Sequence, residues 1–184
     1  LAPVRVARQA EVSAAIRAAH PAGPDFLEEG CLGLARLAQR LGDLPACAGN
    51  RVDLLGDYEA AIDDLATGID AAEREVHLLY YIVADDAVGG RVLAALRRAA
   101  KRGVRCLLLI DALGARPWWK GTQPKRLRDA GVELRAALPT GLLRTLVGRT
   151  DLRLHRKIVV IDGMAAWTGS MNLVDPRYFK QESG

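Results

Sequence analysis

The sequence predicts an α/β fold, a mixed sheet flanked by helices on both faces, preceded by a helical lead-in segment. Three observations support this prediction. From residue 50 onward, apolar β-rich runs alternate with helical patterns of apolar residues. Gly103 and Gly131 follow two of the helical patterns at the position where glycine ends a helix. The chain is 50% apolar and 26% charged, which is typical of a folded globular protein.

We divide the chain into residues 1–48 and residues 49–184. The first part is rich in alanine and arginine and is predicted to be helical. Its apolar stripe is Leu27, Cys31, Leu34, Leu37, Ala38 and Leu41. The predicted elements of the second part are strand 51–55, helix 58–69 with Asp57 as its N-cap, strand 76–83, helix 88–101, strand 104–110, helix 126–130 and strand 132–136.

The ends of the sequence indicate a fragment. The first residue is Leu1 rather than Met, and Gly184 follows the strongest motif by only a dozen residues. We therefore expect a longer protein from which this chain is cut, with the second part truncated at its C-terminus. A run of about 18 apolar residues, long enough to span a membrane, does not occur in the sequence.

Basic residues concentrate between residues 144 and 157, within a chain of net charge +4. They are Arg144, Arg149, Arg153, Arg156 and Lys157, opposed by a single Asp151. Such a basic strip indicates an anionic partner. Charge alone does not distinguish phospholipid headgroups from nucleic acid or another phosphoester.

Two groups of residues that resemble metal or disulfide sites are predicted to be neither. Cys31, Cys47 and Cys106 are too few and too far apart for a zinc site or a disulfide framework, so we expect small core residues in a reducing compartment. The acid pairs Asp63-Asp64 and Asp85-Asp86 are not expected to bind metal, because neighbouring side chains point apart and no histidine completes a site.

Asp111 and a tryptophan pair each leave two interpretations open. Asp111 ends an apolar strand, where open α/β sheets bind ligands, so it is either a site residue or a cap for the turn around Gly114. Trp118 and Trp119, beside Pro117, form either a packed loop corner or a pair that faces a membrane interface.

The strongest chemical signal lies between His155 and Asn172, where Asp162-Gly163 separates two β-rich runs and predicts a hairpin turn. With these two residues as the turn, Ser170 lies opposite His155 and Thr168 lies opposite Lys157. Side chains alternate between the faces of a strand. The expected shared face is His155, Lys157, Ser170 and Asn172, with Leu154, Ile158 and Val160 packed on the other face.

These four side chains suit attack on phosphorus. A neutral imidazole is a nucleophile near neutral pH, so His155 is the candidate nucleophile. Lys157, Ser170 and Asn172 are expected to bind the phosphate by donating hydrogen bonds to its non-bridging oxygens. Gly169 lets a phosphate approach the backbone. This chemistry needs no metal or other cofactor.

The spacing of the motif, HxK, four residues, Asp, six residues, GSxN, resembles the HKD motif of the phospholipase D superfamily. The residues that carry it are His155, Lys157, Asp162, Gly169, Ser170 and Asn172. Further segments resemble the first catalytic half of bacterial cardiolipin synthases. They are Tyr80-Tyr81-Ile82, Asp85-Asp86, Arg102-Gly103-Val104-Arg105 and residues 109–114 and 175–181, so the match runs over residues 50–184.

The resemblance implies a phospholipase D-like half-domain whose active site is completed by a second HKD half, in the same full-length chain or in a dimer partner. Its histidine takes the phosphatidyl group from phosphatidylglycerol as a phosphohistidine, and a second phosphatidylglycerol receives it to give cardiolipin and glycerol. By motif position His155 is the nucleophile, although the nucleophile and acid roles are exchangeable. Asp162, the third catalytic-motif residue, is assigned a structural role in the hairpin.

The resemblance also implies a phospholipid substrate at a membrane surface, the bacterial inner membrane for the full-length protein. A second HxK and the family's N-terminal membrane helices are missing from this sequence, so the isolated chain is expected to be inactive as a monomer. Two alternatives stay open. One is a homodimeric single-motif phosphodiesterase or nuclease, although nine aromatic residues offer no evident stacking platform and no nucleic acid partner is expected. The other is a non-catalytic module that binds lipid phosphate.

Overall fold

A computed structural model of the chain describes residues 2–19, 28–42, 44–138 and 153–179. The chain separates into two compact units, residues 1–54 and residues 55–184. The first unit contains α1 (Ala2–Ala19) and α2 (Glu29–Gly42). Within the described residues, no helix combines the length and the apolar character needed to cross a membrane.

The strand predicted at residues 51–55 does not form. Residues 51–57 have no regular structure, and the side chains of Val52 and Leu54 are 88% and 97% exposed. A strand needs a neighbour for its backbone hydrogen bonds, and this short run has none among the strands of the described sheet. The prediction was therefore wrong because local β propensity cannot supply a pairing partner.

The second unit alternates helices with strands, as the sequence predicts. Its elements are α3 (Tyr58–Ala71), β1 (Glu75–Tyr80), α4 (Ala87–Lys101), β2 (Arg105–Asp111), α5 (Arg116–Trp119), α6 (Gln123–Asp129), β3 (Glu133–Ala137), β4 (Lys157–Ile161), β5 (Ala165–Gly169) and a 3-10 helix (Pro176–Phe179). The predicted cap is confirmed, since the Asp57 carboxylate accepts a 2.7 Å hydrogen bond from the Ala60 amide. Gly103 and Gly131 follow α4 and α6 with φ of 92° and 93°, the left-handed conformation that favours glycine.

The five strands form one mixed sheet in the order β3-β2-β1-β4-β5. Strands β1, β2 and β3 are parallel, and β4 is antiparallel to both β1 and β5. The predicted α/β class with a mixed sheet is confirmed. Because β1 and β2 are parallel, their carboxyl ends, at Tyr80 and Asp111, lie at the same edge of the sheet, and β4 begins at that edge with Lys157.

One face of the sheet forms the apolar core. Its buried side chains are Val76, Leu78, Tyr80, Cys106, Leu108, Ile110, Val159 and Ile161, and all four helices of this unit contribute to the same cluster. The opposite face carries the partly buried Leu79, Leu107, Leu109, Ile158 and Val160. The sequence predicts helices on both faces of the sheet. Among the described residues of this unit, the helices cover the face that forms the core.

Only one of the three cysteines is a core residue. Cys106 is buried in β2, Cys47 is partly buried and Cys31 is exposed. The prediction for Cys31 was wrong because α2 buries none of its residues, so its apolar stripe is not a core stripe. Burial raises the pKa of the Cys106 thiol to about 11, which keeps it protonated near neutral pH.

Adjacent leucines on opposite faces of β2 provide a test of this arrangement. Leu108→Ala removes a side chain with no exposed surface and is expected to lower the free energy of unfolding by about 3 kcal/mol. The matched control, Leu109→Ala, removes a partly buried side chain and should cost about 1 kcal/mol. Urea unfolding of the two variants measures both values. Equal losses would contradict the assignment of Leu108 to the core face.

Candidate active site

The hairpin has a register one residue away from the predicted one. Strand β4 ends at Ile161 and β5 begins at Ala165, and Lys157 pairs with Gly169 rather than with Thr168. Three residues therefore connect the strands where the sequence predicts two. Asp162 and Gly163 both have positive φ, 54° and 69°, and the Met164 amide donates to the Ile161 carbonyl. Met164 is the extra residue, and it shifts every later partner.

The faces of β4 are also the reverse of the prediction. Val159 and Ile161 are buried, whereas Ile158 and Val160 are only partly buried. The helices cover the face that carries Val159 and Ile161, which is also the face of Lys157. Lys157 is only 5% exposed, but it begins the strand, so its ammonium lies at the edge of the core rather than in its middle.

His155, Lys157 and Tyr81 form a compact cluster at the carboxyl edge of β1. Lys157 Nζ lies 3.2 Å from His155 Nδ1 and donates a 2.8 Å hydrogen bond to the His155 carbonyl. The rings of Tyr81 and His155 are 4.7 Å apart between centroids, and Lys157 Nζ lies 5.7 Å from the centre of the Tyr81 ring. Burial lowers the pKa of the Lys157 ammonium. The predicted pair of imidazole and ammonium is therefore in direct contact.

Asn172 is held at the same edge by the segment that leaves β1. The Ile82 amide donates a 3.1 Å hydrogen bond to Asn172 Oδ1. The next residue, Leu173, accepts from Ala84 and donates to Ile82, and the Asp175 amide donates to the Asp86 carboxylate at 2.7 Å. Residues 172–175 thus lie along residues 82–86. Since Tyr81 contacts His155 and Ile82 contacts Asn172, both ends of the motif contact the segment that follows β1, here called the strand exit.

Ser170 and Gly169 occupy the end of β5. Gly169 faces Lys157 across the hairpin, and a Cβ at this position would have no heavy atom within 4 Å. Ser170 follows the strand and is exposed. Among the hydrogen bonds of the described residues, none joins the Ser170 hydroxyl to His155 or Lys157. The structure therefore places His155 and Lys157 in direct contact and holds Asn172 on Ile82, next to Tyr81, whereas Ser170 is left at the rim.

Asp162 lies at the far end of the hairpin. Its carboxylate accepts hydrogen bonds of 2.8 to 3.0 Å from the backbone amides of Glu73, Arg74 and Glu75, and these bonds hold its pKa below the usual range. The Arg74 guanidinium donates to the Asp162 carbonyl. Five residues of extended chain, about 17 Å, separate Asp162 from Lys157. Its contacts anchor the turn to the start of β1.

Asp111 has the densest set of hydrogen bonds around the site. Its fully buried carboxylate accepts from the Leu113 and Gly114 amides, from the Leu154 amide, and twice from the Arg153 guanidinium at 2.7 and 3.2 Å. The cap interpretation of Asp111 is therefore confirmed at the turn around Gly114, and the same carboxylate also holds the two residues before His155. Burial by itself raises the pKa of this carboxyl, but the hydrogen bonds from Arg153 and the three amides outweigh it and lower the pKa.

The basic strip is only partly available to a ligand. Arg153 is engaged by Asp111 and is largely buried, with 12% of its side chain exposed. Arg156 is exposed. Arg144, Arg149 and Asp151 lie outside the described residues. The positive charge at the site that the structure describes is therefore that of Arg156 and Lys157.

The remaining candidates are structural. Trp118 is buried and meets Trp119 edge to face at 5.3 Å, so the pair is the packed corner rather than a membrane-facing surface. Each member of the acid pairs has a protein partner: Asp63 binds Arg91, Asp64 binds Trp167, Asp85 binds Gln123, and Asp86 caps α4. Chemical reasoning from the sequence missed two neighbours of the motif: Tyr81, which contacts His155, and Asp86, which accepts from the Asp175 amide. The rule that pointed to Asp111, a position at the carboxyl end of a buried strand, applies equally to Tyr81.

Removal of the Asp111 charge tests its role. Asp111→Asn leaves Arg153 without its carboxylate, and we expect a loss of about 3 kcal/mol in the free energy of unfolding at pH 7. The matched control is Asp129→Asn, whose exposed partner Lys125 makes a surface ion pair worth less than about 1 kcal/mol. Urea unfolding measures both losses.

The same variant has a defined pH dependence. Because the folded-state pKa of Asp111 lies below the unfolded value of about 3.9, its stabilisation is fully present above that pH and is lost as the pH falls through the lowered value. The difference between wild type and Asp111→Asn should therefore shrink below about pH 4. A difference that stays constant down to pH 2 would contradict this account.

Comparisons with known proteins identify the family of this chain. The family described as "Cardiolipin synthase, PLD-like domain" matches residues 65–182. Cardiolipin synthase A of Edwardsiella ictaluri is 40% identical over 151 residues, and that of Proteus mirabilis is 41% identical over 136 residues. The alignments cover 82% and 74% of this chain. They span 31% and 28% of those relatives, so the chain corresponds to about a third of their length.

Among solved structures, Nuc of Salmonella typhimurium, a phospholipase D family member, is 22% identical with a TM-score of 0.45. The alignment covers 61% of this chain and 64% of that one. The family match covers more than half of the chain, including every residue from Lys157 to Asn172 and the strand exit that holds them. The chain therefore belongs to the cardiolipin synthase family of phospholipase D-like domains.

Proposed function

We propose that this chain supplies one half-site of a phosphatidyl transferase that makes cardiolipin and glycerol from two phosphatidylglycerol molecules. The observation that carries the proposal is the contact between His155 and Lys157, 3.2 Å from Nδ1 to Nζ, at the carboxyl edge of the sheet. An imidazole beside a partly desolvated ammonium suits attack on a phosphodiester, which carries negative charge. Relatives named cardiolipin synthase A support the choice of lipid substrate.

In the first step, His155 attacks phosphorus and forms a P–N bond. The P–O bond to the glycerol headgroup breaks, and the departing oxygen takes a proton from a general acid in the second half-site. In the second step, that group removes a proton from a hydroxyl of another phosphatidylglycerol, whose oxygen attacks phosphorus. The P–N bond breaks, cardiolipin forms, and His155 is regenerated.

Lys157 has to change its hydrogen-bond partner during this reaction. A charged ammonium has only donors, so its contact with Nδ1 makes Nδ1 the acceptor, and a neutral His155 then carries its proton on Nε2. This tautomer has no lone pair on Nε2 with which to attack phosphorus. For Nε2 to attack phosphorus, Lys157 has to leave Nδ1, and the ring proton then has to move from Nε2 to Nδ1 through solvent. A non-bridging phosphate oxygen offers Lys157 a stronger, charged acceptor. Substrate binding would thereby free the imidazole for nucleophilic attack.

The other motif residues differ in whether they bind the phosphate or hold the hairpin. Asn172 uses Oδ1 to accept from Ile82, which leaves the two N–H donors of its amide for the phosphate. Ser170 at the rim and the open backbone beside Gly169 complete the phosphate site. Asp162 acts on the hairpin and not on the substrate, because its carboxylate is occupied by three backbone amides.

The half-site works with a second HKD half, from the same full-length protein or from a second copy of the chain. The substrate places the reaction at a membrane surface, and we assign the complete protein to the inner membrane. The rival function, a homodimeric nuclease, uses the same half-site chemistry. The engagement of Arg153 by Asp111 reduces the basic surface that DNA would need, so the lipid reaction is favoured.

The test is incubation of the complete protein with phosphatidylglycerol vesicles, with cardiolipin and released glycerol measured by mass spectrometry. His155→Ala should lower cardiolipin formation by at least about 1000-fold, because the nucleophile is lost. The matched control is His77→Ala. His77 pairs with Val160 of β4, but its side chain lies between Glu75 and Arg105 on the face of the sheet opposite Lys157. Its loss should leave the rate unchanged.

A wild-type rate in His155→Ala would remove this mechanism. A metal-free plasmid cleavage assay run in parallel tests the rival function. Plasmid cleavage without any cardiolipin would replace the lipid reaction by the nuclease.

A further inference from the structure

We propose that Tyr81 is a positioning residue for this half-site: its ring fixes the orientation of the His155 imidazole and keeps the Lys157 ammonium next to it. The proposal rests on the proposed function for its kinetic consequences. Its structural content, a contact between two rings that orients His155, stands independently of which phosphodiester is the substrate.

The geometry gives Tyr81 contact with both reacting groups. Its ring lies 4.7 Å from the His155 ring at an interplanar angle of 46°, a tilted arrangement that aromatic pairs favour. The same ring lies 5.7 Å from Lys157 Nζ, within the range of a cation–π contact. His155 lies just before β4 and is exposed, so regular strand structure does not restrict its side chain. Tyr81 supplies that restriction.

The turn at Gly114 fixes the position of the Tyr81 ring. A Cβ added at Gly114 would lie 2.5 Å from Tyr81 Cε2 and 2.7 Å from the Tyr81 carbonyl oxygen, so the turn is in close contact with the ring and its backbone. The Gly114 amide is held by the Asp111 carboxylate. That carboxylate also holds the Leu154 amide, next to His155. Both sides of the Tyr81–His155 contact are therefore anchored to one buried group.

The contact between the Tyr81 and His155 rings becomes important once substrate has bound. Lys157 holds His155 before substrate binds, but in the proposed mechanism it turns to the phosphate. Tyr81 is then the neighbour that keeps the imidazole aligned for attack. The Tyr81 hydroxyl makes no hydrogen bond with another described residue, so the aromatic ring, and not the hydroxyl, carries the effect.

The kinetic experiment compares Tyr81→Phe with Tyr81→Leu in the complete protein, with phosphatidylglycerol vesicles as substrate. Tyr81→Leu should lower kcat by about 10- to 100-fold while KM changes by less than about twofold, because alignment and not lipid binding is lost. Tyr81→Phe keeps the ring and should retain the wild-type kcat. The matched control is Trp167→Leu, an aromatic removed from β5, where its ring packs against Gly68. It should lower stability and leave kcat unchanged.

Two results in the Tyr81 variants would overturn the proposal. One is a wild-type kcat in Tyr81→Leu, and the other is a fall in Tyr81→Phe as large as in Tyr81→Leu, which would assign the effect to the hydroxyl. If kcat in Trp167→Leu falls as far as in Tyr81→Leu, the loss is a general effect of destabilisation and the proposal also fails.

A readout that needs no lipid separates this proposal from the function on which it rests. In the chain itself, the ring current of Tyr81 should shift the NMR signals of the His155 ring protons, and Tyr81→Leu, but not Tyr81→Phe, should abolish that shift. If the wild type makes no cardiolipin while the shift is present, the proposed function fails and the positioning contact stands. If the shift is absent from the wild type, the positioning proposal fails whatever the enzyme makes.

Discussion

The buried carboxylate of Asp111 is the interaction on which the rest of the site depends. A carboxylate with no exposed surface is costly unless its hydrogen-bonding capacity is filled, and here five donors from two distant segments fill it. One segment is the turn at Gly114, against which Tyr81 packs, and the other leads into His155. A single buried charge thus joins the carboxyl end of β2 to the start of the hairpin that carries the motif.

The candidate active site is assembled from three short stretches of chain rather than from the hairpin alone. The exit of β1, residues 81–86, contacts the hairpin at His155 through Tyr81 and the far end of the motif at Asn172 through Ile82. Asp86 adds a contact with the Asp175 amide while it caps α4. These contacts tie both ends of the motif, at His155 and at Asn172, to the segment that leaves β1.

Local patterns predicted much of this molecule. The helical stripe after Asp57, the glycines that end α4 and α6, and the order of strands and helices after residue 57 follow from short-range preferences, and these predictions are confirmed. The motif residues His155 and Lys157 were identified by type and spacing and are in contact. The register failed because one extra turn residue, Met164, is compatible with the same Asp-Gly signal, and a shift by one residue reverses which face each side chain occupies.

By itself, the sequence determined the α/β class, the identity of the groups capable of phosphoryl chemistry, and the family resemblance, because these depend on residue type and spacing along the chain. Tertiary structure decided which face of β4 is buried, where Asp162 acts, and which neighbours hold His155. Those properties depend on contacts between residues up to 90 positions apart, as between Ile82 and Asn172, and such contacts are selected by packing of the whole sheet and its helices.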